Sequence, residues 1–521
     1  MKFKKSLFSL VLSASMLIST SCSSETAIDD VQTDDSGTVT VTADTEEQSA
    51  ETTTTESTTK ETKLTDDTSA PEETTVSSTS ETTTAETTTT TTAAATTTTA
   101  ATTTTTAATT TAATTTTTTT VTTTTAATTT TTTSATTTQA PAANGNTVQI
   151  DALSLPSNVE TMINAMGAGW NLGNSMDAYN GSGASETAWG NPQVTKSLID
   201  AVKAAGFKTI RIPVSYMGKV DENNNYTIDQ AWLNRLNEIV DYAINNGMYA
   251  IINIHHDGNN DFSNGAWLDC SSADQTKIRE KFRRIWEQVA ARFKDYGDHL
   301  IFESMNEIMQ EGNYSNNVPA DFYNNINTLN QIFVDTVRAS GGSNSSRWLL
   351  IPGYNTNIDA TVLSAFKLPS DSASGRLIVS VHYYDPYEFA LNESSKIFKW
   401  GNDASKGKKP SWGHEDYVEQ QMQKLYNTFT SKGIPVIIGE YGAIDKTWSD
   451  PASPEYRRYY FEYVAKSAVN HGCVPVYWDN GYNGKNGFAL FDRKNATVLY
   501  PDLVSAIVRG ADRKSYAIAI P

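Results

Sequence analysis

Eight times after residue 167, a short apolar run that reads as a strand is followed by a helical pattern, and this alternation constrains the fold more than any other feature. The runs cover residues 167–172, 209–213, 249–254, 300–305, 348–351, 377–381, 435–438 and 474–478. A helix between them is readable over 277–293, where Ile278, Phe282, Ile285, Trp286, Val289 and Phe293 recur at helical spacing. Continuously apolar strands joined through amphipathic helices form parallel sheets covered by helices. Eight such units predict a (β/α)8 TIM barrel over residues 147–521, with a doubly wound open sheet as the alternative.

A barrel of this kind carries its chemistry at the C-terminal ends of its strands. Those ends read Asn171 and Asn174, Arg211, His255 and His256, Asn306 and Glu307, His382 and Tyr384, Glu440, and Trp478. Glu307 ends one apolar run and Glu440 another, 133 residues later. Two carboxylates on separate strand ends are what hydrolysis of a glycosidic bond requires. Either glutamate alone reads equally well as a strand end meeting water, because exposed Glu is the ordinary case; it is the company of the other stations that turns the balance.

The first 146 residues have a different character. Residues 1–21 read as a secretion signal, with Lys2, Lys4 and Lys5 ahead of an apolar stretch too short to span a bilayer. Cys22 follows in a Ser-Thr-Ser-Cys box similar to a bacterial lipoprotein signal, although Ser19 stands where that pattern prefers Leu; Cys22 is therefore a candidate lipid anchor to the cell membrane. Residues 22–146 cannot build a core: 25–86 hold seventeen acids and two bases, and in 87–138 only Val121 and Ser134 are neither Thr nor Ala. Such a segment is expected to be a disordered or O-glycosylated linker, dispensable for chemistry, with an r.m.s. span on the order of 60 Å. The expected location is extracellular, secreted or tethered to the cell surface.

The net charge of −19 includes −15 from residues 25–86 and +3 from the first three lysines, so the rest of the chain carries −7. This mild acidity favours a neutral partner and gives no reason to expect nucleic acid. The chain is read as a monomer without a cofactor. Its cysteines, Cys22, Cys270 and Cys473, make no disulfide framework, and the last two fall at opposite ends of the expected barrel, too far apart to pair. Beyond the helical pattern that ends near Val508, no dockerin-like or cellulose-binding module is readable.

The stretches Gly169-Trp170-Asn171-Leu172-Gly173-Asn174, Ala188-Trp189-Gly190-Asn191-Pro192 and Asn306-Glu307, together with Arg211, His255, His382, Tyr384, Glu440 and Trp478, resemble glycoside hydrolase family 5. Within it they look like subfamily 4, which is rich in endo-β-1,4-glucanases. The resemblance implies that Glu307 is the acid/base and Glu440 the nucleophile of a retaining hydrolase of plant cell-wall β-glucan. It also implies that Arg211 and Tyr384 serve Glu440, with Arg211 holding it ionised, and that Asn306 bonds the sugar 2-OH. His255 and His382 would orient carboxyls and hydroxyls, and Trp478 would stack on the reacting sugar, with His256, Asn174 and Trp189 as further sugar contacts.

Each assignment has a plainer counterpart. Arg211 in a strand can pair a structural carboxylate, His255 and His256 can be satisfied core histidines, and Trp478 can be a packed barrel residue. Trp189, Trp267 and Trp448 fall in strand-to-helix loops and suit either sugar stacking or a lid over their own loop. The run His255-His256-Asp257 also admits a metal site, but no further ligand is identifiable at a suitable spacing, so none is assigned. The polymer is open among cellulose, mixed-linkage glucan and xyloglucan. A mannanase or xylanase of the same fold, or a barrel that binds polysaccharide without cutting it, are the alternatives; a binding barrel has no need to keep both glutamates.

Overall fold

The computed structural model describes residues 146–258, 261–315, 317–405 and 407–521. The leader, Cys22 and the linker up to residue 145 lie outside the described residues. Eight parallel strands close into a barrel: β1 (Gly169–Leu172), β2 (Thr209–Ile212), β3 (Tyr249–Ile252), β4 (Leu300–Glu303), β5 (Leu349–Asn357), β6 (Leu377–Tyr383), β7 (Val436–Tyr441) and β8 (Cys473–Asp479). Closure comes from β8 pairing with β1, Val476 opposite Gly169 and Asp479 opposite Leu172, which excludes the open sheet.

Helices cover the barrel in sequence: α1 (Lys196–Ala204), α2 (Gln230–Asn245), α3 (Thr276–Arg292), α4 (Ala320–Ala339), α5 (Ile358–Thr361), α6 (Glu415–Thr428), α7 (Ser453–Asn470) and α8 (Pro501–Gly510). Helix α3 shows why these segments form. Phe282, Ile285, Trp286 and Val289 share one buried face, and the Trp286 ring packs on Phe302 of β4 and Phe333 of α4. Its outer face is laced by Arg284 to Glu280 at 2.8 Å and to Glu287 at 3.0 Å, half-exposed pairs worth a few tenths of a kcal/mol each. The starts of α1 and α2 are capped by side chains: Thr195 accepts from Leu198 N at 3.3 Å and Asp229 from Ala231 N at 2.9 Å. Among the described residues no helix is long and apolar enough to cross a membrane.

Two strand ends differ from expectation in a way that matters for the site. β6 runs on to Tyr383 and β7 to Tyr441, so His382 lies directly opposite Glu440 inside the ladder instead of beyond it. A register shift after Val381 makes this pairing. β5 is nine residues long where four were expected. Its extension, Pro352-Gly353-Tyr354-Asn355-Thr356-Asn357, has no apolar signature and passes through the left-handed region at Asn355 (φ 52°) and Thr356 (φ 46°). Cys270, in the loop after β3, and Cys473, which opens β8, are both buried and unpaired, as expected.

Candidate active site

Arg211, fully buried at the end of β2, organises the floor of the cleft. Its Nη1 donates to Glu440 Oε1 at 2.8 Å and to Asn171 Oδ1 at 3.0 Å, its Nη2 to Asn306 Oδ1 at 2.7 Å, and its Nε to Glu303 Oε2 at 2.7 Å. All five donors of a guanidinium lie in one plane, so these bonds lock a single orientation. Burial disfavours its charge, but Glu303 and Glu440 more than offset this and keep Arg211 protonated. It is not the isolated structural ion pair that its place in a strand also allows, because its second fork reaches the cleft.

Glu440 is only 6% exposed. Besides Arg211 it accepts from the Tyr384 hydroxyl at 3.0 Å, and His255 Nε2 stands 3.9 Å and His382 Nδ1 3.7 Å away. Burial holds the Tyr384 phenol protonated and therefore a donor. The expectation that Arg211 would hold Glu440 below the usual carboxylate range needs correction: burial raises it, and the downward pull of Arg211 does not fully compensate. Glu307 is moved further. Burial pushes it up to about 7, against Arg211, His256 and a hydrogen bond from the Thr356 side chain, with the Glu303 charge adding to the rise. His382, whose own value burial lowers to about 4, is neutral at pH 7, and its Nδ1 lies 2.7 Å from Glu307 Oε1. Glu307, His382 and Glu440 each offer an atom within 4.8 Å of the other two, and both carboxyl groups converge on the same imidazole nitrogen, His382 Nδ1.

The remaining expected residues fall in two groups. Trp478, nearly buried at the end of β8, lies parallel to the His255 ring with centroids 5.8 Å apart. Gly173 makes this possible, since a Cβ there would stand 2.7 Å from the Trp478 ring. His256, Trp189 and Tyr179 form an aromatic cluster beside the site, with Trp189 5.3 Å and Tyr179 5.7 Å from the His256 ring. Asn174 joins this group through its backbone. It adopts a left-handed turn (φ 58°) and its N–H donates to Asp177 Oδ2, which stands 3.3 Å from His256 Nε2. No hydrogen bond brings its side chain to Arg211, Glu307 or Glu440 among those of the described residues.

Of the loop tryptophans, Trp267 donates Nε1–H to Asp257 Oδ1 at 2.6 Å and has Lys281 4.7 Å over its ring, so it ties down its own loop. Trp448 is 37% exposed, bonded to Asn486 Oδ1 at 3.0 Å and covered on one face by Lys485. The metal reading of residues 255–257 changes its third member, since Asp257 accepts from Tyr216 N and Trp267 while Asp177 approaches both histidines. The donor set does not suit an ion. Asn253 Oδ1 accepts from Val214 N, which turns Nδ2 as a donor toward His255 Nδ1 at 3.2 Å, so the His255 proton sits on Nε2.

Glu303, Asn253, Ser380 and Asp177 were not singled out as site residues from the sequence, and Asn171, read there as a strand-end residue, was given no role. The signal was present for most of them as a polar residue inside an otherwise apolar strand. Glu303 follows Leu300-Ile301-Phe302, and Asn253 directly follows Tyr249-Ala250-Ile251-Ile252.

A parallel eight-stranded barrel with two neighbouring carboxyl groups, the half-buried Glu307 just past β4 and the buried Glu440 in β7, defines a barrel glycoside hydrolase. The family model of Cellulase (glycosyl hydrolase family 5) matches residues 172–484, and the chain belongs to that family. Endoglucanase A of Paenibacillus barcinonensis is 48% identical over 355 residues, spanning 66% of this chain and 88% of the relative. Among solved structures, a family 5 xyloglucanase from Paenibacillus pabuli in complex with ligand is 50% identical with a TM-score of 0.66, covering 67% of this chain and 100% of the other. A GH5-4 broad specificity endoglucanase from Bacteroides salanitronis is 41% identical with a TM-score of 0.65, covering 70% of this chain and 97% of the other. The protein is thus a glycoside hydrolase similar to endoglucanases.

Proposed function

We propose that the protein is an endo-β-1,4-glucanase that cleaves plant cell-wall β-glucan with retention of configuration. The carrying observation is the proximity of Glu307 and Glu440, each with a carboxylate oxygen within 4.8 Å of the other. Retaining enzymes hold their carboxyls about 5–5.5 Å apart, whereas inverting enzymes need about 6.5–9.5 Å to admit a water.

In the first step Glu440 attacks the anomeric carbon while Glu307 gives its proton to the departing glycosidic oxygen. Arg211 and Tyr384 hold the attacking carboxylate in place and favour its charge. Glu307, pushed up to about 7, keeps its proton in about half of the molecules in neutral solution and in more of them below it, and His382 fixes that carboxyl toward the leaving oxygen. In the second step the deprotonated Glu307 takes a proton from water, which displaces Glu440 and restores both groups. Asn306, oriented by Arg211, is positioned to bond the 2-OH. Trp478 backs the reacting sugar, with His255 behind it, and Trp189, His256 and Asn174 flank the cleft on the β1 and β3 side.

The xyloglucanase from Paenibacillus pabuli, half identical to this chain, supports xyloglucan among the polymers accepted. The leader, a lipid anchor at Cys22 and the linker belong to the same proposal, a catalytic domain held outside the cell. The test is hydrolysis by a chain starting near Asn146 of carboxymethylcellulose, xyloglucan, lichenan, glucomannan and xylan. Cleavage of the β-glucans is expected; activity confined to xylan or mannan, or to none of the five, contradicts the proposal.

A further inference from the structure

We propose that Glu303 is a positioning residue of the reaction, a buried carboxylate under the cleft that sets the two arms facing Glu440, one through Arg211 and one through Asn253 and His255. This rests on the retaining-hydrolase proposal and adds to it a residue that touches no substrate.

Glu303 closes β4, four residues before Glu307, and is fully buried. Its partners come from three other strands or their ends. Oε2 accepts from Arg211 Nε at 2.7 Å and from Asn253 Nδ2 at 3.0 Å, and Oε1 accepts from the Ser380 hydroxyl at 2.7 Å. Nothing in this set leaves the carboxylate free to serve as a reacting group. What it does is fix others. A guanidinium is rigid, so a bond at Nε determines where Nη1 and Nη2 point, and those nitrogens reach Glu440 and Asn306. The same Oε2 anchors Asn253, whose amide holds the His255 proton on Nε2, the nitrogen nearest Glu440. Glu303 also supplies a charge. It stands against Arg211 as a second anion, so the guanidinium is not left as an uncompensated cation beside a proton donor, and its field favours the proton on Glu307.

Geometry and charge can be separated by two variants. Glu303→Asp keeps the anion and withdraws it by one methylene; Glu303→Gln keeps the length and removes the anion. Both are expected to lower kcat on a soluble β-glucan about 10- to 100-fold, the scale of a displacement near 1 Å at the reacting groups, with KM little changed. Only Glu303→Gln is expected to move the alkaline limb of kcat/KM to lower pH, since without the anion Glu307 gives up its proton more readily. Wild-type kcat in either variant, or an alkaline limb unmoved in Glu303→Gln, overturns the proposal, as does a fall in Tm with both kinetic readouts intact. Should Glu303→Gln not fold, Glu303→Asp decides: its kcat must fall at least about tenfold with the limb in place. A wild-type enzyme that cleaves no β-glucan would instead remove the underlying proposal.

Discussion

Replacing Glu307 by Gln removes the only proton the mechanism passes to the leaving group, and the consequences can be worked out in both rate and pH. General acid–base catalysis is worth about 10²–10⁴-fold, or ~2.7–5.5 kcal/mol at 1.36 kcal/mol per tenfold, and kcat/KM on a natural glucan should fall by that amount. The wild-type profile should have its alkaline limb near 7, where Glu307 is half protonated. A unit higher, only about a tenth of the enzyme still carries the proton. Gln does not titrate, so the limb should vanish in Glu307→Gln. The assay is kcat/KM from pH 4 to 9 on a soluble β-glucan and on a dinitrophenyl cellobioside, whose leaving group needs no proton and whose first step should be largely spared. One competitor follows Tyr384 in the chain: burial also pushes Asp385 up to about 7, with one carboxyl oxygen unpartnered among the described residues. If the limb survives in Glu307→Gln and disappears in Asp385→Asn, the proton has been assigned to the wrong carboxyl.

Glu440→Gln should abolish turnover of both substrates, because no leaving group compensates for a missing nucleophile; measurable hydrolysis of the dinitrophenyl glycoside would contradict its role. Arg211→Met removes a group that lowers Glu440, so the Glu440 pKa rises and the acid limb of kcat/KM should move to higher pH. The same change leaves Glu303 as a buried unpaired carboxylate and should cost about 3–5 kcal/mol of stability, measured by urea denaturation; an unchanged midpoint would refute the ion-pair account. A chain starting at Asn146, unfolded without reductant, should titrate two thiols, from Cys270 and Cys473; finding none would contradict the strand placement.

The barrel and the upper layer of the site are legible in the sequence because both are written in local patterns. A four- to six-residue apolar run followed by a helical stripe marks each unit, and Glu307, Glu440, His255 and His382 stand where those runs stop. The layer beneath is harder to see. Arg211 joins Glu303 across 92 positions and Glu440 across 229, and no spacing rule links residues so distant. Only closure of the barrel turns their side chains inward together. Net charge balance was likewise hidden: proximity to Arg211 suggested a strongly acidic Glu440, but burial, which depends on the whole barrel, outweighs it. The tryptophans divided for a similar reason, since Trp267 is taken up by Asp257 and Lys281 from its own loop and from α3, partners that its immediate sequence does not reveal.

The central claim is retention through a covalent intermediate on Glu440, and proton NMR of the first products tests it most directly. Cello-oligosaccharide hydrolysed by a high concentration of enzyme should show the β-anomer of the new reducing end first, with the α-anomer growing only at the rate of spontaneous mutarotation. An α-anomer present from the first spectrum would mean direct displacement by water, and would contradict the account.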